Sequence, residues 1–125
     1  MEQDETRINA KVRLAGPMHR FQMDEQIAAL QSEEAYRKGN LNQKALVHEK
    51  SLRVALFVFH AGNRLPDHTA PGPISVQVLR GRILFTTDEG AREEMAAGDI
   101  LSLAGGITHS VEALEDSAML LTLGT

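Results

Sequence analysis

The chain has no cysteine and no tryptophan, and only one tyrosine and four phenylalanines among its 125 residues. Without cysteine there are neither disulfides nor thiolate ligands, so any metal has to be held by imidazole, carboxylate, amide or water. Long apolar runs are missing as well. The longest, Val54 to Phe59, falls far short of the roughly 20 residues that a membrane-spanning helix needs. The acidic start Met-Glu-Gln-Asp-Glu lacks the basic n-region and apolar core of a secretory signal. A soluble, cytoplasmic protein with no membrane partner is therefore expected. Lysine and arginine are scattered singly in a chain of net charge -4, which leaves no basic stripe for nucleic acid. No glycine-rich loop runs from a strand into a helix, since Ala104-Gly105-Gly106 leads into another strand-like run, and this argues against a phosphate loop. Ser75, Ser102 and Ser110 lack a nucleophile-elbow setting. The pair Glu93-Glu94 reads as solvated surface.

What is present fits one domain with a single core. Ile8, Ala10, Val12 and Leu14 alternate with polar residues and suggest an extra edge strand, which the turn signal Gly16-Pro17 separates from the rest of the chain. From Asp24 to Lys38 the pattern predicts one short amphipathic helix. Asp24 is its N-cap, Ile27 and Leu30 share its apolar face, and Lys38-Gly39 close it. After Asn40 the chain reads as strands over residues 44–48, 52–60, 74–79, 82–86, 92–95, 100–103, 108–113 and 118–123. Glycine and acidic turns punctuate them at spacings that indicate an all-β sandwich or barrel. Residues 1–43 thus supply an N-terminal strand and helix that pack on the barrel or on a partner, and residues 44–125 supply the barrel. Exposed sheet edges, with a narrow-faced helix and an alternating strand available to cover them, lead us to expect a homodimer.

Two punctuated stretches organise this pattern. The first runs from Gly62 to Gly81 and contains Asp67-His68-Thr69-Ala70-Pro71-Gly72-Pro73-Ile74. The second runs from Gly98 to His109. Together they resemble the two cupin motifs. Gly62, His68 and Gly81 fall at matching places of the first, and Gly98, Gly106 and His109 at those of the second. The first motif's second histidine is Ala70 and its glutamate is Ile74, while in the second motif Ala104 replaces the proline and Ala113 the asparagine. The resemblance covers about residues 44 to 123 and implies a double-stranded β-helix, or jelly-roll barrel, with one short N-terminal helix. It also implies that His68 and His109 are the first and last ligands of a cupin metal site and point into the barrel from neighbouring strands. The fold alone says little about chemistry, because cupins include dioxygenases, isomerases, decarboxylases, sugar-binding modules and storage proteins.

Two imidazoles make a poor site by themselves, since divalent first-row metals usually take three or more protein ligands. Gln77 is the one nearby side chain able to add a donor, to metal or to a ligand oxygen. It lies three residues after Ile74, so strict alternation sends it to the opposite face unless the strand bulges near Pro73. Ile74 makes a ligand pocket more apolar. His60, His48 and His19 read as strand-end or solvent-facing residues, Asp67 as a turn residue, and Arg80 and Arg82 as solvated strand ends. Two functions stay open at this point. One is a cupin of undetermined role with a small-molecule pocket, bounded by Ile74 and Gln77, and a vestigial or low-occupancy site for Zn, Ni, Mn or Fe at His68 and His109. The other is a metal-dependent enzyme of oxygenase or isomerase type acting on a small organic substrate.

Overall fold

The computed structural model describes residues 16–124. The alternating piece Ile8, Ala10, Val12 and Leu14 lies outside them. Two helical segments, α1 (Met23–Gln31) and α2 (Glu34–Arg37), precede nine strands: β1 (Asn42–His48), β2 (Leu52–Phe59), β3 (Arg64–His68), β4 (Ile74–Arg80), β5 (Arg82–Thr87), β6 (Arg92–Ala96), β7 (Ile100–Leu103), β8 (His109–Ala113) and β9 (Ser117–Gly124). They form a five-stranded sheet in the order β1-β2-β9-β4-β7 and a four-stranded sheet in the order β3-β8-β5-β6. Every pairing is antiparallel. This is the jelly-roll barrel that the sequence implies.

Side-chain alternation decides which residues meet between the sheets. In β4, Ile74, Val76 and Val78 are buried while Ser75, Gln77 and Leu79 are half-buried. The first set joins Phe57, Phe59, Ile83, Phe85, Val111 and Met119 in one core. Both faces of β2 are covered, which is why its run of Val, Leu and Phe shows no alternation. Phe57 and Phe59 enter the barrel core. Leu56 and Val58 instead meet Ile27, Leu30, Tyr36 and Ala118 in a second cluster on the outer face.

The helical part differs from the sequence expectation. One helix over Asp24–Lys38 becomes a nine-residue α1 and a four-residue α2. The break is at Glu33, whose backbone is extended at φ -81 and ψ 156. Ser32 donates its hydroxyl to the Ala29 carbonyl at 2.7 Å, the local competition that makes serine a poor helix-interior residue. The N-cap is Gln22 rather than Asp24: its Oε1 accepts the Glu25 N–H at 2.8 Å. Asp24 instead pairs with Arg80 of β4 at 2.6 Å and fixes the start of α1 on the sheet. Gly39, at φ 99, follows the cap residue Lys38 as expected. The segment Arg64–His68, unassigned in the sequence, is strand β3. It lies at the edge of its sheet, where Pro66 breaks no inner ladder.

Candidate functional site

β3 and β8 place the histidine pair. His68 and His109 are register partners, with ring centroids 4.2 Å apart and planes at 62°. His109 is 3% exposed and its other side stacks on Phe85 at 5.3 Å, whereas His68 is exposed. The buried ring is thus held between a phenyl face and the ring of an accessible partner.

Backbone carbonyls set the tautomer of both neutral rings. His68 Nδ1 lies 3.0 Å from the Pro66 oxygen and His109 Nδ1 lies 2.9 Å from the Ile107 oxygen. A carbonyl only accepts, so each Nδ1 carries hydrogen and each neutral ring keeps its lone pair on Nε2. Such a bond from the distal nitrogen is what orients a metal-ligating or base-acting imidazole.

The two loops that carry these histidines are stitched together. Gly106 donates its N–H to the Ala70 oxygen at 2.8 Å, and the Thr69 and Thr108 hydroxyls share a hydrogen bond of 2.7 Å. A Cβ on Gly105 would strike the Pro71 carbonyl oxygen and lie 2.9 Å from the Gly72 carbonyl carbon. Glycine is therefore required for the two loops to approach this closely.

The other expected positions sort by face. Ala70 packs against the barrel core, and Ile74 is 5% exposed within it. Both positions that would complete a cupin ligand set are thus apolar. Gln77 pairs with Ile100 and Leu120, and the register runs without a shift from Ile74 to Val78. No bulge turns it, so Gln77 lies on the face of β4 opposite Ile74, away from the two histidines. Asp67 makes no bond to the His68 ring; Pro66 takes that role. Arg80 and Arg82 each meet a carboxylate, Asp24 and Glu94 respectively. Among the described residues no group of three or more His, Cys, Asp or Glu could hold a metal ion. Among the described residues, two imidazoles fall short of the three or more protein ligands that a catalytic metal usually takes.

His60 lies elsewhere. It stacks on Tyr36 with centroids 3.8 Å apart and donates from Nε2 to the Tyr36 carbonyl at 2.6 Å. Two positions were hidden in the sequence. Phe85 is a stacking partner that only the pairing of β5 with β8 reveals. Arg53 is an inward position exposed by register: it pairs with Leu123 of β9 and His48 of β1.

No protein-family model matches the chain, and no curated protein matches it. Solved structures do. A cupin 2 conserved barrel domain protein from Leptotrichia buccalis is 33% identical with a TM-score of 0.67, over 72% of this chain and 43% of that one. This chain thus spans under half of that protein. A conserved protein of unknown function from Streptococcus pyogenes is 26% identical with a TM-score of 0.66, over 70% of this chain and 76% of that one. An RmlC-like cupin from Desulfovibrio desulfuricans, 21% identical with a TM-score of 0.63, matches over 90% of this chain and 95% of that one, and shares its fold. Two facing antiparallel sheets, the motif histidines on adjacent strands and these neighbours give one conclusion: the chain is a small cupin domain.

Proposed function

We propose that this cupin binds a small organic molecule at the end of the barrel where His68 and His109 meet, and that its metal site is vestigial. One observation carries the reading. Two adjacent imidazoles have Nδ1 engaged by carbonyls and Nε2 lone pairs left over, beside apolar Ala70 and Ile74 where further ligands would stand. Neutral imidazoles can accept hydrogen bonds from a ligand hydroxyl or amide. Ile74 belongs to this wall, and Gln77 serves the outer face of the sheet. The enzyme reading needs a third donor, and among the described residues no further His, Cys, Asp or Glu joins the pair.

The test is elemental analysis of protein prepared without a chelating column. The expected result is transition metal well below one equivalent. A full equivalent of Zn, Ni, Mn or Fe would instead favour a metal-dependent oxygenase or isomerase.

The proposal includes a homodimer in the cytoplasm. Ile100, 67% exposed on the edge strand β7, supports the dimer, since an open edge with an apolar side chain invites pairing. No described helix is long and apolar enough to cross a membrane.

A further inference from the structure

We infer that Arg53 is an anion anchor at this same end of the barrel and that the ligand is a small carboxylate with an apolar body. The inference rests on the ligand-binding reading above. Strand order fixes the end. His68 closes β3, Ile74 opens β4, Leu103 closes β7 and His109 opens β8, with short loops joining each pair. Ile74 pairs with Leu103 and with Leu123, and Leu123 pairs with Arg53. One cross-strand row therefore runs from Leu103 to Arg53 at the histidine end.

The same pairings fix the face. Ile74, Leu103 and Leu123 pack against the core between the sheets. Residues directly opposite each other across antiparallel strands share a face, so Arg53 occupies an inward position in an otherwise apolar row. The register shift between Ala45 and Val47 brings His48 opposite Arg53 on that face.

Arg53 is exposed, and among the described residues neither a hydrogen bond nor an ion pair ties its guanidinium, unlike those of Arg80 and Arg82. The glutamate that a cupin motif would place in this row is Ile74. Among the described residues the rim thus presents a guanidinium that no carboxylate engages. A single planar guanidinium suits a carboxylate, which it grips with two parallel bonds. A phosphate site would gather several donors. The apolar row from Leu103 to Leu123 would meet the ligand's hydrocarbon part, and the Nε2 atoms of His68 and His109 its far end.

Isobutyrate and isobutyramide, matched in shape and differing in charge, provide the probes. Each is titrated at constant ionic strength into the full chain, and the ring-proton resonances of His68 and His109 are followed by NMR. Isobutyrate is expected to bind roughly tenfold more tightly than the amide, the size of one charge-assisted contact. Arg53→Gln should erase that preference and Arg53→Lys should restore part of it. Equal binding of the two probes, or a preference that survives Arg53→Gln, overturns the anchor and leaves the histidine pocket standing. If neither probe moves those resonances, anchor and pocket fall together.

Discussion

The ring of Tyr36 lies against the imidazole of His60, centroids 3.8 Å apart and planes 17° from parallel, although 24 residues separate them. This stack, the bond from His60 Nε2 to the Tyr36 carbonyl at 2.6 Å and that from Asn63 to the Gly39 carbonyl at 3.2 Å fasten α2 to the barrel. Ala61 donates to Asp116 beside them at 2.9 Å.

Tyr36 is the only tyrosine and there is no tryptophan, so ultraviolet absorbance reads this joint alone. Burial, and next the Asp116 carboxylate, push its phenol above the ordinary range, which lies near 10. A group whose folded pKa is raised contributes stability in full below its unfolded value and loses it as pH climbs through the folded one. Spectroscopic titration should therefore ionise Tyr36 later in the folded chain than in urea, with stability falling above about pH 10. Coincident folded and unfolded titrations would refute the burial. Tyr36→Phe should cost under about 1 kcal/mol, because the hydroxyl's bond to the Phe59 carbonyl is long at 3.5 Å. Tyr36→Ala should cost about 3 kcal/mol in denaturant unfolding.

Gly105 tests the stitched loops. A methyl group there collides with the Pro71 carbonyl, which is backbone and cannot swing aside. Gly105→Ala should destabilise by about 1–3 kcal/mol and shift the ring resonances of both His68 and His109. A neutral substitution would mean that the two loops do not need this approach.

The proportion of this architecture that was legible divides along physical lines. Val54 to Phe59, Ile74 to Leu79 and Ala118 to Leu123 announced themselves because buried strands must be apolar. β3 did not. Four of its five residues are exposed, and Pro66 and Asp67 both speak against a strand. The motif spacing put His68 and His109 together, whereas the Phe85 stack and the inward face of Arg53 depend on pairing register. An apolar strand buried on both sides gives no clue to which face each residue takes. The helix break likewise coincides with polar bonds that no apolar pattern announces, from the Ser32 hydroxyl to the Ala29 carbonyl and from the Asn42 amide to the Leu30 carbonyl.

A dimer is expected in sedimentation velocity at micromolar concentration, weakened on deleting residues 1–20, because the alternating segment in that stretch is a natural cover for an open edge. A monomer unchanged by the deletion would count against both the dimer and that role.

The histidine pair is tested most directly by melting temperature as Zn or Ni is added near pH 7.5, for the wild type and for the double variant Ala70→His with Ile74→Glu. Binding to the native state stabilises by about 2.7 kcal/mol at a hundredfold excess over Kd. In a chain of this size that is several degrees or more. Without metal the variant should melt lower than wild type, because Ile74 is 5% exposed and a carboxylate there is buried without a partner. With metal it should gain several degrees, more than the small rise of wild type, and lose most of that gain near pH 5.5, since imidazole binds metal only when neutral. His68→Ala or His109→Ala should abolish both increments, while His48→Ala leaves them. A wild-type rise as large as that of the double variant would contradict the vestigial site, and a rise that survives His68→Ala or His109→Ala would contradict the pairing of these two residues in one site.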